Sequence, residues 1–303
     1  MPRHIVILPY FCDEEIQRYL KVAELLKSFP HPDGSLQFLL ASSPRTQPSE
    51  SLQTAYSSIG ETWSFQCPTQ IFGYPEGPTA MFWDCMDFIA ERFGHESGFS
   101  LWLESDMAPI KPDWIDRLSQ QWFSELQTPI MMGCFVPQVF KHRWFKKPKL
   151  ILEPHINGGA CYALDFARHM PGSAREGVFD MAVYQHAAQQ GRARNTSLIA
   201  FSTVSQVRRD LLDEHKVLLH GFMQPKDEFL QQCLHPLTEQ EKQNATWNAW
   251  WDQWETLKRQ LRVQFVRKGQ RAMLENMFLA KQKFEAEQNQ PVNSPSTTTR
   301  YAA

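Results

Sequence analysis

Paired cysteine is the first thing this sequence lacks. Its six cysteines, at positions 12, 67, 85, 134, 161 and 233, show no Cys-x-x-Cys spacing and no dense framework. That argues against a structural zinc site and a disulfide scaffold, and reduced thiols are expected. Long hydrophobic runs are missing too: no stretch of about 18 or more apolar residues is available to cross a bilayer. The apolar run near Met1 is too short for a signal peptide, so a soluble, cytoplasmic protein is expected. Asn195 and Asn244 each head a glycosylation sequon, which without an export signal reads as chance. Charge of one sign is absent as well. A formal net charge of -2 gives no global pull toward nucleic acid or anionic membrane, so partners have to be argued locally.

What is present is a globular composition of 303 residues, 42% of them hydrophobic, enough for one large core or for a core plus a helical appendage. Residues 4–8 form a near-continuous apolar strand ended by Pro9, and residues 13–26 an amphipathic helix with acids on its first turn. A second strand is expected at 36–41, a polar loop at 42–50, a third strand within 63–72 and a helix over 80–93. Strands and helices alternating at this pace predict an α/β fold with a mostly parallel, doubly wound sheet. Further strands are expected at 99–103 and 129–136, a basic aromatic loop at 141–149, an apolar run behind two glycines at 155–164, and a helix near 177–188. Short apolar runs follow at 198–204 and 217–219. From Thr238 the character changes to long helices carrying Trp247, Trp250, Trp251 and Trp254, read as packing residues, with Gly269 as a break. The expected organisation is a catalytic domain over 1–227, a helical C-terminal extension over 228–288 and a disordered tail over 289–303.

The chemistry concentrates after the strand at 99–103. Glu104 and Asp106 stand at i and i+2, so continued extension would point both carboxylates to one side. Two like charges held together cost free energy unless a cation lies between them, and ligands of open α/β sheets collect at the carboxyl ends of strands. A divalent metal held by oxygen ligands is the economical explanation, with a solvated loop the plainer alternative. Asp113 and Asp116 have a structural job instead, as an N-cap and its capping-box partner. Pro109 and Pro112 keep the segment between extended.

Taken together, Pro9-Tyr10 ending the first strand, Glu104-Ser105-Asp106 after a later one, Asn157-Gly158-Gly159, Asp180 opening a helix and His220-Gly221 resemble glycosyltransferases of the GT-A fold over roughly residues 3–227. The resemblance implies a Rossmann-like, mostly parallel sheet flanked by helices. It also implies a nucleotide-diphosphate sugar donor, UDP- or GDP-linked, whose diphosphate is held through Mn²⁺ or Mg²⁺ by an Asp-x-Asp motif. Here Glu104 replaces the usual first Asp, Asp106 matches the metal-binding position, and His220 resembles a third ligand, which would tilt the choice toward Mn²⁺. Asp180 resembles the base that deprotonates the acceptor hydroxyl in inverting members; helix capping is its structural alternative. Pro9, Tyr10, Asp13 and Ser105 would contact the donor, and Asn157, Gly158 and Gly159 the acceptor. Ser42 stands where an acid often recognises uracil, and Lys226 is placed to meet the diphosphate or to remain an exposed lysine. A nucleotidyltransferase making sugar nucleotides is disfavoured, because residues 9–13 lack a glycine-rich, basic loop. The alternative outside this class is a nucleic-acid binder gripping phosphates through residues 141–149 and 258–268, or a transferase with a nucleic-acid acceptor in place of glycan or protein.

Overall fold

The computed structural model describes residues 2–30, 36–124, 127–136, 154–201 and 215–220, with backbone alone for 139–143, 146–152 and 201. The chain opens with β1 (Arg3–Tyr10), α1 (Asp13–Lys27), β2 (Gln37–Ser42), α2 (Glu50–Ser57), β3 (Glu61–Gln66), α3 (Glu76–Phe93) and β4 (Gly98–Trp102). It continues through β5 (Ala108–Pro109), α4 (Trp114–Trp122), β6 (Met131–Gly133), β7 (Phe135–Val136), β8 (Val139–Arg143), β9 (Lys146–Leu152), β10 (His155–Ile156) and β11 (Cys161–Ala163). After these come α5 (Phe166–His169), a 3₁₀ turn at Gly172–Arg175, α6 (Phe179–Gln189), β12 (Ala193–Asn195), β13 (Ile199–Phe201) and β14 (Leu218–His220).

Seven strands form the central sheet in the order β12-β6-β11-β4-β1-β2-β3, with β11 antiparallel to both neighbours and every other pairing parallel. This is the expected α/β class with a mostly parallel sheet. Burial explains the sequence pattern: all of β1 after Arg3 is buried, as befits a strand covered on both faces, whereas the edge strand β3 is partly exposed along its length. α1 buries Ile16, Tyr19, Val22, Ala23, Leu25 and Leu26 against the sheet and leaves Asp13 and Glu14 exposed at its positive end. α3 carries Phe82 into the centre of an aromatic cluster, edge-on to Trp102 and Tyr162 and stacked on Phe179 at 4.2 Å between ring centres.

The topology reverses at one place. From β1 the chain steps outward to β2 and β3, then returns to lay β4 on the other side of β1. In open α/β sheets such a reversal leaves a crevice beyond the strands' carboxyl ends, here Pro9-Tyr10 of β1 and Trp102 of β4. Tyr19 ties the two ends together, its buried hydroxyl lying 2.9 Å from the Pro9 carbonyl oxygen and 2.8 Å from that of Leu103.

Several expectations are corrected. α2 forms just beyond the polar loop expected at 42–50, where the sequence predicts no element; Ser49 caps it by accepting from the Leu52 N–H, and only Leu52 and Tyr56 are buried, too few to mark a periodic face. α3 begins at Glu76 rather than 80, with Pro78 in its first turn, where a missing N–H breaks no intrahelical bond. The strand expected at 129–136 is interrupted at Cys134 into β6 and β7. In place of a basic loop at 141–149, residues 141–143 and 146–149 belong to the antiparallel strands β8 and β9. Asp113 occupies the N-cap position of α4, but its side chain makes no capping hydrogen bond. Lys226, the Trp-rich helices and the tail lie outside the described residues. Among the described residues, no helix is long and apolar enough to cross a membrane.

Candidate active site

Beyond the reversal point lies a cleft of about 430 Å³, floored by Pro9, Trp102, Glu104, Ser105 and Asp106. Two of the acids there are delivered by a turn: the Met107 N–H donates to the Glu104 carbonyl oxygen at 2.8 Å, so the chain bends after Leu103. The extension that sequence reasoning invoked to align the carboxylates is absent, yet both converge. β14 brings the third member. Its antiparallel register with β5 pairs Leu219 with Ala108, which continues to set His220 beside Met107, next in sequence to Asp106. His220 Nε2 lies 2.9 Å from Glu104 Oε2 and 3.5 Å from Asp106 Oδ1.

One donor atom from each of these residues falls within 4.8 Å of the others. Adjacent ligands bound at about 2.1 Å and at right angles stand about 3.0 Å apart, so the His220 separations suit a shared small divalent ion. Two carboxylates and an imidazole are borderline-to-hard donors that fit Mn²⁺ or Mg²⁺. The imidazole ring is 3% exposed, whereas Glu104 and Asp106 are 33% and 27% exposed, so the cluster is closed behind and open toward the cleft.

The two glycines at 158 and 159 are buried and make this arrangement possible. A Cβ on Gly159 would collide with Met107 Sδ and stand 2.7 Å from His220 Nδ1, and one on Gly158 would stand 2.9 Å from Glu104 Oε1 and 2.7 Å from Phe179 Cζ. The pair therefore packs behind the acid-histidine cluster. A direct contact from these glycines to an acceptor was expected; of the three residues, only Asn157 lines the cleft.

Asp180 lines the cleft beside Val178 and Phe179. It is the second residue of α6, whose N-cap is Val178, so it is not the cap; its Oδ1 accepts from the Met181 N–H at 2.8 Å. Phe179, stacked on Phe82 and edge-on to Trp102, fixes the start of α6 against the end of β4. Burial raises the Asp180 pKa above the ordinary carboxylate range; a His155 charge opposes that rise and the Glu104 charge adds to it. His155 Nε2 lies 3.6 Å from Asp180 Oδ2, with the imidazole 4% exposed.

The other expected donor contacts divide. Pro9 and Ser105 line the cleft, but Tyr10 does not: it is wholly buried, and its hydroxyl accepts from the Ser49 N–H at 3.1 Å. Burial pushes its phenol pKa up, as suits a core residue. Asp13 is exposed on the first turn of α1 and is absent from the cleft lining, and Ser42 is buried at the end of β2. In their place stand Glu15, on the first turn of α1, and Arg18, on the next. The Arg18 guanidinium reaches Ser105 Oγ at 3.4 Å, Ser105 donates to Glu15 Oε1 at 3.3 Å, and Glu15 Oε2 accepts from the Phe11 N–H at 2.6 Å. Burial raises the Glu15 pKa, with the Phe11 N–H and the Ser105 hydroxyl opposing it. In the sequence Glu15 reads as a dipole-compensating acid, and neither Arg18 nor His155 stands out. The only signal was spacing: positions 15 and 18 share a face of α1 with Tyr19, which is itself tied to both strand ends.

No family model matches the sequence, and no curated protein matches it. Among solved structures, 4-diphosphocytidyl-2C-methyl-D-erythritol synthase aligns at 12% identity and a TM-score of 0.46, over 78% of this chain and 100% of the other. The galactosyltransferase LgtC in complex with donor and acceptor sugar analogues aligns at 12% identity and 0.45, over 78% and 98%. A glycosyltransferase involved in glycosylating the major capsid of PBCV-1 aligns at 13% identity and 0.42, over 77% and 99%. Likeness at these scores carries no functional argument. The strand order, the cleft and its side chains have to carry it.

Proposed function

We propose that this chain is a metal-dependent glycosyltransferase of GT-A type that moves a sugar from a nucleotide-diphosphate donor to an acceptor hydroxyl with inversion. The observation that carries the reading is the convergence of Glu104, Asp106 and His220 within 4.8 Å at the carboxyl end of β4, beside a cleft that Asp180 also lines. Glu104, Asp106 and His220 are the residues that would hold Mn²⁺ or Mg²⁺, and the ion would supply positive charge to the departing diphosphate. Glu15, Glu104, Asp106 and Asp180 all line the cleft, so without a bound cation it is unsuited to a diphosphate. Arg18 adds a fixed positive charge on the α1 side, where it can meet phosphate oxygens that reach past Ser105.

Asp180 is the proposed general base. It removes the proton from the acceptor oxygen as that oxygen bonds to the sugar's anomeric carbon and the bond to the diphosphate breaks. Its raised pKa makes it a stronger base than an ordinary aspartate, and the buried His155 imidazole stands behind it, 3.6 Å from Oδ2. Among the described residues nothing favours the nucleic-acid reading: only the backbone of 141–143 and 146–149 is described, and 144–145 and 258–268 lie outside the described residues.

Isothermal titration of UDP and GDP, with and without Mn²⁺, tests the metal role directly. Binding should require Mn²⁺ and should be lost in Asp106→Ala. Nucleotide binding that is indifferent to both metal and mutation removes the proposal. Incubation with Mn²⁺, nucleotide sugars and glycan, protein or DNA acceptors then reads out transfer as added sugar mass.

A further inference from the structure

The outer wall of the cleft differs in chemistry from its floor. Phe11, Tyr74, Pro75, Pro78 and Val178 line it, and Tyr74 is 83% exposed. Tyr74 is not a lone exposed ring: Phe11 on the same wall is 38% exposed and the neighbouring Ile71 and Phe72 are 46% and 37%, and exposed apolar side chains grouped in this way mark an interaction surface. The wall is held in place: Gly77 N–H donates to the Gly73 carbonyl, and Asp84 of α3 accepts from both the Thr69 N–H and its hydroxyl. The Arg45 guanidinium lies 3.5 Å over the Phe72 ring. The Thr79 hydroxyl stands 2.9 Å from the Pro75 carbonyl oxygen and 3.1 Å from that of Gly177, which joins the start of α3 to the segment that leads into Asp180. Tyr74 and Asp180 therefore belong to one continuous wall.

The geometry points to Tyr74 as the stacking platform for a saccharide acceptor, whose ring lies on the tyrosine while its hydroxyls reach Asp180 and Asn157. This inference rests on the glycosyltransferase reading and names its acceptor class. The reasons are chemical. The electron-rich face of an aromatic ring attracts the positively polarised C–H face of a pyranose. Among the described lining residues, Arg18 is the sole lysine or arginine, and it belongs to the α1 side, whereas four carboxylates line the same cleft. A polyanionic acceptor is poorly matched to such walls, and an uncharged polyol with one apolar face is well matched.

Saturation-transfer NMR with methyl glycopyranosides, lactose, maltose, cellobiose and chitobiose at millimolar concentration, and with uridine as the nucleobase arm, tests the inference on wild type, Tyr74→Ala, Tyr74→Phe and Tyr74→Trp. At least one saccharide should receive saturation on its ring C–H protons. Its affinity should fall about 3- to 10-fold in Tyr74→Ala and be retained with Phe or Trp. Affinity for Mn²⁺ with UDP or GDP should match wild type in all three variants. The inference is overturned if no saccharide binds, if Tyr74→Ala binds saccharide unchanged, or if it loses uridine or Mn²⁺-nucleotide binding instead, which would place the donor base on the ring. Failure of the underlying reading looks different: wild type itself would then show no Mn²⁺-dependent nucleotide binding.

Discussion

The two halves of the central sheet are built differently. β1 through β4 run 8, 6, 6 and 5 residues, parallel and backed by α1 and α3, whereas β6, β11 and β12 are 3 residues each and include the antiparallel strand. The first half supplies the floor of the cleft, with Pro9, Glu15, Arg18 and the Glu104–Asp106 turn. The second half uses its irregular connections to return Asn157 and Asp180 to the end of β4, and His220 arrives there from β14 of a separate three-stranded sheet. Long buried strands make a stable platform, and short strands let the chain turn often enough to converge on one place. Changes in the second half should therefore hit chemistry harder than stability, and changes in the first half the reverse.

The largest expected effect is on Asp180. Asp180→Asn should lower transfer about 10²–10⁴-fold while leaving Mn²⁺-dependent nucleotide binding in place. It should also raise thermal stability, with a sign that can be worked out. Because the folded-state pKa is raised by burial, the native state holds this proton more tightly than the unfolded chain. Stability contributed by Asp180 is then lost as pH rises from the unfolded carboxylate range through the folded pKa. The advantage of Asn in a thermal melt should vanish at acid pH and grow toward neutral pH; an advantage that shrinks over that range contradicts the assignment.

Asp106→Ala, at the junction of the halves, should weaken Mn²⁺-dependent nucleotide binding by at least about 100-fold, since even partners of metal ligands are worth about 10- to 100-fold. Its melting temperature without metal should stay near wild type, because the side chain is 27% exposed. Gly159→Ala should reduce metal affinity about tenfold through displacement of His220 and cost about 1–3 kcal/mol of overpacking against Met107. Denaturant melts and Mn²⁺ titration separate the two effects. The smallest effect belongs to the first half. Tyr19→Phe removes the hydroxyl between the Pro9 and Leu103 carbonyls and should cost about 1–2 kcal/mol in denaturant melts, with metal affinity within about twofold of wild type.

Strands β1, β2 and β4 and helices α1 and α3 are legible because each buries a long, regular face, whereas α2, with two buried residues, is not; the acids after β4 are legible because they follow that strand directly. Tyr10 and Asp13 were misplaced for one reason: position after a first strand does not say which side chain turns into the core and which into water. Glu15, Arg18 and His155 do not stand out in the sequence, because sharing a helix face with Tyr19 does not mark an ionisable residue as part of a cleft, and His155 sits in a strand too short to have a period.

Residue pattern alone determined that a layered α/β sheet forms, because burial on both faces demands unbroken apolar strands. It also determined that Glu104 and Asp106 emerge together from one of them. The tertiary structure decided that His220 closes on that pair, through the pairing of β14 with β5, and that Asp180 shares their cleft, through the stacking of Phe179 on Phe82. Contacts between residues about a hundred positions apart depend on packing that no local stretch encodes.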